Sequence, residues 1–289
     1  MWELRSRRPL PKTVSGVDLD GPESVFRWSA CALMGVVNVT PDSFSDGGLY
    51  AVADRAIEHG RRLVADGATI IDVGGESTKP GTGGVSAAEE LQRVIPVIES
   101  LASDGTALIS VDTRKPAVAR AAVLAGANLV NDVGGLRDQA MVSECASLGI
   151  PVVIMHMRGE PATMQLEPRY DDVVREVVGW LHERAENALT SGVPSVVIDP
   201  GIGFGKLLEH NLDLLRAMPL SDRFPVLVGA SRKRSIQRLA GVDGPQGSDI
   251  ASIAVHLWVA QRGAAIVRVH DVAGHRQAFA VDRAVRGGN

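Results

Sequence analysis

One unit recurs along the chain and constrains the fold more than any other feature. In each copy a helical stretch ends at a glycine, and a short β-branched run follows and closes on a polar residue; the glycines are Gly67, Gly105, Gly126, Gly149, Gly192 and Gly263. Glycine after a helix adopts the left-handed conformation that closes its last turn, and a continuous Val/Ile run suits a strand covered on both faces. The unit predicts parallel strands joined by crossover helices.

Eight such strands are predicted. They lie at 33–38, 69–72, 107–112, 128–131, 151–156, 195–199, 225–229 and 265–270, with helical patterns between them at 51–65, 87–101, 172–189 and 250–261. This alternation is typical of a (β/α)8 TIM barrel of the α/β class, and a doubly wound open sheet is the alternative. The 289 residues suit one barrel of ~250 residues. We predict a single-domain barrel over 31–289, with an N-terminal segment, 1–30, covering its lower end.

Charge and cysteine content narrow the class of partner. The chain carries 30 basic and 34 acidic residues, a net charge of −4, which gives no sequence-wide attraction to nucleic acid or to an anionic membrane. No apolar run approaches the ~18 residues of a membrane span. Cys31 and Cys145 lie far apart, so neither a disulfide framework nor a thiolate metal site is indicated. We therefore expect a cytoplasmic protein that binds a small molecule.

Polar residues lie at the end of every predicted strand or just beyond it. In chain order they are Asn38, Asp72 with Glu76, Asp112, Asn131 with Asp132, His156, Asp199, Ser231 with Lys233, and Arg268 with His270. Active sites of such barrels lie at the carboxyl ends of the strands, so we expect these side chains to converge. Helix capping is the alternative explanation for any one of them.

Two glycine-rich segments and the lysines refine this expectation. The loops at 38–48 and 74–84 have the composition of mobile lids over a polar ligand. Residues 199–206 are one residue too short for the phosphate-binding motif G-x-x-x-x-G-K-S/T. Leu207 also stands where that motif has the Ser or Thr hydroxyl that binds magnesium. With no G-x-G-x-x-G and no H-E-x-x-H, we expect neither a nucleotide cofactor nor catalytic zinc. Lys79, Lys115, Lys206 and Lys233 all follow strand ends.

Two long segments, 34–48 and 71–78, resemble the signatures of dihydropteroate synthases. Shorter matches continue in order at 110–113, 131–132, 155–159, 199–206, 231–233 and 268–272, so the resemblance spans roughly residues 30 to 275. It implies a (β/α)8 barrel, commonly a homodimer. It also implies a transferase of folate biosynthesis, which joins 6-hydroxymethyl-7,8-dihydropterin pyrophosphate to p-aminobenzoate, gives 7,8-dihydropteroate and pyrophosphate, and uses Mg²⁺.

The resemblance assigns the pterin to four matched positions. They are Asp112, Asn131, Asp199 and Lys233. Of these, Asp112, Asp199 and Lys233 are the expected catalytic residues. A carboxylate that accepts two parallel hydrogen bonds suits the donor edge of a pterin, which is the role implied for Asp199.

The remaining ligand groups are assigned in the same way. Pyrophosphate is expected at Asn38, Lys79, Arg268 and His270, and Asn38 is also the expected Mg²⁺ ligand. p-Aminobenzoate is expected at Thr78, Phe204 and Ser231. Asp42 and Phe44 are expected to close the first loop over both substrates.

Two positions depart from the family pattern. Lys79 stands where the family usually has arginine. Ser235 stands where, in the family, an aromatic residue often follows the Ser-Arg-Lys-x segment. Replacing a planar guanidinium fork by one ammonium could cost roughly 1–3 kcal/mol of binding. An alternative is therefore a paralogue that keeps the barrel and some ligand binding but catalyses weakly or not at all. A barrel that binds a reduced folate for methyl transfer to a corrinoid protein is a further alternative, against which the intact segments 231–233 and 268–270 argue.

Overall fold

A computed structural model describes residues 1–19, 23–40, 48–77, 84–159, 163–164 and 168–287, with the backbone alone at 48–51. The described chain begins with three short strands, β1 (Trp2–Ser6), β2 (Val17–Asp18) and β3 (Ser24–Trp28). They pair antiparallel in the order β1-β3-β2. Turn signals dominate this segment in the sequence, so the pattern alone predicts no strand here.

Eight parallel strands form the second sheet. They are β4 (Ala32–Asn38), β5 (Ile70–Gly74), β6 (Leu108–Asp112), β7 (Leu129–Asp132), β8 (Val152–Met155), β9 (Val196–Asp199), β10 (Leu227–Val228) and β11 (Ile266–Val269). Their order is β10-β11-β4-β5-β6-β7-β8-β9, and a parallel bridge between Ile198 and Val226 brings β9 to the start of β10. The sheet closes into a barrel, which confirms the predicted (β/α)8 fold.

Helices follow each barrel strand and cover its outer face. They are α1 (Gly48–Asp66), α2 (Ala87–Asp104), α3 (Pro116–Leu124), α4 (Gln139–Leu148), α5 (Val173–Thr190), α6 (Leu208–Arg216), α7 (Arg234–Ala240), α8 (Asp249–Ala260) and α9 (Val272–Val285). β10 is followed by both α7 and α8, with a short 3-10 helix at Gln246–Ser248 between them. The main core lies between the helices and the outward side chains of the strands.

A second apolar cluster fills the amino end of the barrel. Leu4 and Phe26 of the N-terminal strands pack with the first residues of several barrel strands, which include Ile70, Leu108 and Leu129. The Trp28 indole N–H also donates to the backbone oxygen of Ala265 at 2.9 Å. The amino end is therefore apolar and closed, which leaves the carboxyl end as the place where polar side chains can meet a ligand.

Candidate active site

The strand register brings the predicted polar residues side by side. Asp112, the last residue of β6, lies beside Gly74 on one side and Asn131 on the other. Asp199, the last residue of β9, lies beside Met155 of β8. Because all these strands are parallel, their terminal side chains share the carboxyl end of the barrel.

Arg268 of β11 joins several of these strand ends. Its Nε donates to Asp72 Oδ2 at 2.6 Å, and its Nη2 donates to Asp112 Oδ2 at 2.9 Å. Asn131 Nδ2 donates to the same Asp72 oxygen at 3.1 Å. Asp72 is fully buried, and a buried carboxylate is stable only when opposite charge and hydrogen bonds compensate it. The network fixes β5, β6, β7 and β11 against one another and orients Asp112 and Asn131.

The two predicted catalytic carboxylates have raised pKa values. Burial raises the pKa of Asp112 to about 7; Arg268 opposes this shift and the charge of Asp72 adds to it. Burial also raises the pKa of Asp199 to about 6, although the Gly201 N–H, which donates to Asp199 Oδ1 at 2.7 Å, opposes it. Near neutral pH Asp112 is populated in both protonation states, so it can accept or donate a hydrogen bond to a ligand.

The loop after β9 folds around the ammonium group of Lys206. Lys206 is 4% exposed, and its Nζ donates to the backbone oxygens of His156 at 3.2 Å, Gly201 at 3.1 Å and Phe204 at 3.0 Å. His156 Nδ1 lies 3.0 Å from the same nitrogen. Burial lowers the pKa of His156 to about 3, so its ring is neutral, and its Nδ1 shares the three N–H donors of Lys206 with the three backbone oxygens. These contacts fix the loop that follows Asp199 and whose Gly201 N–H orients the Asp199 carboxylate.

Gly201 permits this tight loop. Its φ is +66°, and a β-carbon at this position would lie 1.9 Å from the backbone oxygen of His156. Backbone atoms cannot give way by that distance without shifting β8. Glycine is therefore required here both by conformation and by space.

Lys233 contacts an aromatic ring and interacts electrostatically with the two carboxylates. Its Nζ is 4.0 Å from the centre of the Phe204 ring, a cation–π distance. Burial and, after it, the charge of Arg268 lower the pKa of Lys233 to about 8, although Asp199 and Asp112 oppose the shift. Phe204 packs with an apolar cluster that includes Met155 and Met157. The site thus joins a cation, an aromatic face and two carboxylates.

Ser231 and His270 form a hydrogen-bonded pair across β10 and β11. Ser231 Oγ lies 3.0 Å from His270 Nδ1, and the His270 backbone N–H donates to the same hydroxyl at 3.3 Å. Burial and the nearby Arg268 lower the pKa of His270 to about 3, so the ring is neutral. In the tautomer whose Nδ1 accepts the Ser231 hydroxyl, Nε2 carries a proton that can be donated to an anion.

The remaining predicted residues divide into two groups. Asn38, at the end of β4, has an exposed side chain and lies beside Gly74 in the strand register. The others lie outside the described residues: Asp42, Phe44, Thr78 and Lys79.

Helix capping does not account for the predicted pterin residues. Four other side chains cap described helices: Ser86, Asp138, Asp172 and Asp271. Asn131 bonds to a strand residue, and Asp199 bonds within its own loop. Asp132 is the residue that serves a turn, since its carboxylate accepts the N–H groups of Gly134 and Leu136.

The sequence places Asp72 at a strand end but assigns it no function. A usable signal exists, because Asp72 is a single carboxylate inside the otherwise apolar segment 70–74, and such a group must be paired when buried. Its partner Arg268 lies 196 residues away in the chain. The sequence therefore indicates that Asp72 is paired without identifying the partner.

Within the described residues we find no helix whose length and apolar character would suit a membrane span. The closed barrel and the polar cluster at the carboxyl ends of its strands have the features of a barrel enzyme, in which catalytic groups come from the ends of several strands. Groups with shifted pKa values cluster at functional sites, as Asp112, Asp199 and Lys233 do here.

Comparisons with known proteins identify the family. The family model described as pterin binding enzyme matches residues 34–270. Dihydropteroate synthase of Escherichia coli (strain K12) is 46% identical over 244 residues, which cover 83% of this chain and 86% of that protein. Dihydropteroate synthase of Xanthomonas albilineans with 4-aminobenzoic acid is 48% identical, with a TM-score of 0.85 over 90% of this chain and 94% of that chain.

The same Xanthomonas albilineans enzyme in complex with 7,8-dihydropteroate is 45% identical, with a TM-score of 0.83 over 92% of this chain and 97% of that chain. The chain therefore belongs to the dihydropteroate synthase family of pterin-binding enzymes.

Proposed function

We propose that this protein is a transferase that condenses 6-hydroxymethyl-7,8-dihydropterin pyrophosphate with p-aminobenzoate to give 7,8-dihydropteroate and pyrophosphate. The observation that carries the proposal is the convergence of Asp112, Asn131, Asp199 and Lys233 at the carboxyl end of the barrel. The identity of 43–48% to dihydropteroate synthases over most of the chain supports the same activity. The paralogue alternative depends on Lys79 and Ser235, and no contact of the described residues favours it.

The pterin is assigned to the carboxylates and the amide. Asp199 accepts two N–H groups of the pterin's amino-pyrimidine edge, because one of its oxygens is already oriented by the Gly201 N–H. Asn131 and Asp112 are held in place by Asp72 and Arg268 and bind other polar atoms of the ring. Lys233 donates to the acceptor atoms of the heterocycle.

The diphosphate is assigned to Arg268, His270, Asn38 and Lys79. The bonds of Arg268 to Asp72 and Asp112 use two of the five N–H donors of its guanidinium group, which leaves donors for an anion. The neutral His270 donates from Nε2. Arg268 and Lys79 offset negative charge on the leaving group as it departs, and the neutral His270 and Asn38 stabilise it by hydrogen bonds.

Mg²⁺ fits this site as an ion that arrives with the diphosphate. The described residues contain no cluster of three or more His, Cys, Asp or Glu side chains able to bind a metal. Asn38 offers an exposed amide oxygen, and Mg²⁺ commonly combines few protein ligands with water and substrate phosphates. When bound, the ion would spread the negative charge of the leaving pyrophosphate.

We assign p-aminobenzoate to Phe204 and Ser231, and also to Thr78, which lies outside the described residues. The Phe204 ring offers an apolar face next to Lys233, and the Ser231 hydroxyl is oriented by His270. Asp42 and Phe44 are assigned to closure of the first loop over both substrates. Closure of this kind excludes water from a reacting centre.

The reaction needs position and charge more than a strong nucleophile. The bond between the pterin methylene carbon and the diphosphate oxygen breaks, and pyrophosphate leaves with the electron pair. The amine nitrogen of p-aminobenzoate then bonds to that carbon and loses one proton. The electron-rich pterin stabilises the cation that this departure leaves. Asp112 and Asp199, when ionised, place negative charge near that cation, and the site fixes the amine close to the carbon.

Three further proposals concern the whole chain. A homodimer and a cytoplasmic location are expected by resemblance to the family. The division into an N-terminal cover, residues 1–30, and a barrel, 31–289, is supported by the packing of Leu4 and Phe26 against the barrel strands. Light scattering coupled to size-exclusion chromatography tests the dimer.

The central experiment measures pyrophosphate release from the pterin substrate with and without p-aminobenzoate. We expect release that depends on the amine. In an Asp199→Asn variant we expect kcat/KM to fall by about 10²- to 10³-fold, because two charge-assisted hydrogen bonds to the pterin are weakened. Asp213→Asn is the matched control: this exposed carboxylate of α6 pairs with Arg216, and its loss should leave kcat/KM within about twofold. Folded protein without amine-dependent release would overturn the proposal.

A further inference from the structure

Two buried histidines lie behind the site on the last two helices. His256 of α8 and His275 of α9 are fully buried, and His256 Nδ1 lies 2.8 Å from His275 Nε2. The Ala230 backbone N–H donates to His256 Nε2 at 3.1 Å, and His275 Nδ1 lies 2.5 Å from the backbone oxygen of Asp271. Three hydrogen bonds thus run without interruption from Ala230 to Asp271. We call this set the histidine chain.

The two ends fix the direction of every bond in the histidine chain. The Ala230 N–H can only donate, so His256 Nε2 accepts and the His256 proton lies on Nδ1. That proton is donated to His275 Nε2, so the His275 proton lies on Nδ1 and is donated to the Asp271 carbonyl oxygen. A second proton on either ring would bring two donors together. Both rings are therefore neutral, in agreement with the lowering of both pKa values by burial.

The two residues at the ends of the histidine chain are adjacent in sequence to two residues that are candidates for ligand binding. Ala230 precedes Ser231, and Asp271 follows His270. Ser231 and His270 are themselves hydrogen-bonded at 3.0 Å. The loops after β10 and β11 are therefore joined twice, once through these two side chains and once behind them through the buried histidines.

The turn after β10 depends on α8 at two more points. Arg232 has a φ of +59°, which few residues other than glycine adopt. Its backbone N–H donates to Ser252 Oγ at 3.2 Å, and its guanidinium group pairs with Asp249 at 2.8 Å. Ser252 and His256 lie four residues apart on one face of α8. A backbone in this strained conformation is stable only when neighbouring groups hold it in place. Here the contacts with Ser252 and Asp249 of α8 hold it.

We infer that His256 and His275 are positioning residues, whose hydrogen-bond chain sets the orientation of Ser231 and His270 without contacting a substrate. The inference rests on the proposed function, because it assigns Ser231 and His270 to p-aminobenzoate and to the diphosphate. Small displacements of binding groups reduce the rate of a reaction that depends on the alignment of two substrates.

The kinetic test replaces His256 in two ways. His256→Leu has neither donor nor acceptor, and we expect kcat/KM to fall about ten- to a hundredfold with a rise of at least about threefold in the KM for p-aminobenzoate. A loss of folded protein alone would leave KM unchanged. His256→Gln offers an acceptor and a donor on one amide, and we expect it to restore kcat/KM to within about fivefold of the unmodified enzyme.

His182→Leu is the matched control. This histidine of α5 packs against the Phe224 ring, and its buried Nε2 has no hydrogen-bond partner among the described residues. Its replacement should leave kcat and KM within about twofold. Unchanged kinetics in His256→Leu would overturn the inference.

A spectroscopic test is independent of turnover. Two-bond ¹H–¹⁵N correlation spectra of ¹⁵N-histidine-labelled protein report which ring nitrogen carries the proton. We expect His256 and His275 to be neutral with the proton on Nδ1 at pH 7, and the His270 signals to shift in His256→Gln or His256→Leu but not in His182→Leu. A proton on Nε2 of either buried ring, or unchanged His270 signals, would overturn the inference. Protein that shows this pattern but no condensation would instead contradict the proposed function.

Discussion

Asp72 accepts hydrogen bonds from both Arg268 and Asn131, so three strand ends share one buried oxygen. Arg268 points toward Asp72 because it compensates the negative charge of that buried carboxylate. Arg268 also donates a hydrogen bond to Asp112. The sequence identifies Asp112, Asn131 and Arg268 as site residues through their positions after strands. It cannot indicate that Arg268 is bound to carboxylates as well as available to an anion, because that depends on contacts between residues far apart in the chain.

Removal of the Asp72 charge tests the network. Asp72→Asn leaves Arg268 with Asp112 as its described partner, and we expect the free energy of unfolding to fall by about 3 kcal/mol, the size found when one member of a buried charged pair is lost. Urea unfolding followed by circular dichroism measures this change. A decrease below about 0.5 kcal/mol would mean that the network contributes little to stability.

Asp199 provides a prediction for pH dependence. Its pKa in the folded protein is raised to about 6 by burial, so the folded state binds this proton more tightly than the unfolded state does. The contribution of Asp199 to the free energy of unfolding therefore decreases as pH rises from about 4 to about 6. Asp199→Asn removes this effect, and we expect the variant to be more stable than the unmodified protein by up to about 3 kcal/mol at pH 8 and nearly equal at pH 4.

Urea unfolding of both proteins at pH 4, 6 and 8 provides the comparison. Because the other titratable groups are common to both, the difference between the two curves isolates the carboxyl group. A difference that does not grow with pH would show that burial of Asp199 is not the cause. Stabilisation combined with loss of turnover would identify the carboxylate as a group kept for binding.

Among the elements, the eight barrel strands were predictable because each carries a glycine before it or a continuous β-branched run. The predicted strand at 69–72 is observed at Ile70–Gly74, and the helix predicted at 87–101 is Ala87–Asp104. The pattern does not predict the N-terminal strands, since β2 has only two residues, which pair with β3. Their formation depends on packing against the barrel, which no local pattern reports.

The contacts of Lys206 in the loop after β9 can be tested by a substitution. Lys206→Met leaves three backbone oxygens and His156 Nδ1 without their buried donor. We expect a loss of about 3 kcal/mol in the free energy of unfolding, since unpaired buried acceptors cost about 1–3 kcal/mol each and relief of the buried charge offsets part of that.

The same variant should raise the KM for the pterin substrate by at least about tenfold, because the Gly201 N–H of this loop orients the Asp199 carboxylate. Lys12→Met, at an exposed position, is the control and should change neither quantity. If Lys206→Met leaves stability and KM as they are, the ammonium group does not shape the loop.

In the molecule as a whole, the apolar groups that stabilise the fold and the polar groups proposed to bind the substrates lie at opposite ends of the barrel. Phe26 is 1% exposed and packs in the apolar cluster at the amino end, whereas the charged cluster lies at the carboxyl end. Barrels of this class place catalytic groups at one end and stabilising contacts at the other. Substitutions at the two ends should therefore have different effects.

Phe26→Ala tests this separation. We expect a decrease of about 3–5 kcal/mol in the free energy of unfolding, the range for removal of a buried phenylalanine, with kcat and KM unchanged at temperatures where the variant is folded. Leu239→Ala, at a residue that is 50% exposed, should change the free energy by less than about 0.5 kcal/mol. A change in KM in Phe26→Ala would show that the two ends of the barrel are coupled.

Burial lowers the pKa of Lys206 to about 7, but its nitrogen is a hydrogen-bond donor in either protonation state and belongs to the chain itself. The loop after β9 therefore acquires its shape when the protein folds, and a heterocycle can bind Asp199 without first ordering the loop that orients this carboxylate. The conformational entropy of the loop is lost during folding and is not lost again when the ligand binds. This favours tight binding of a rigid, planar ligand.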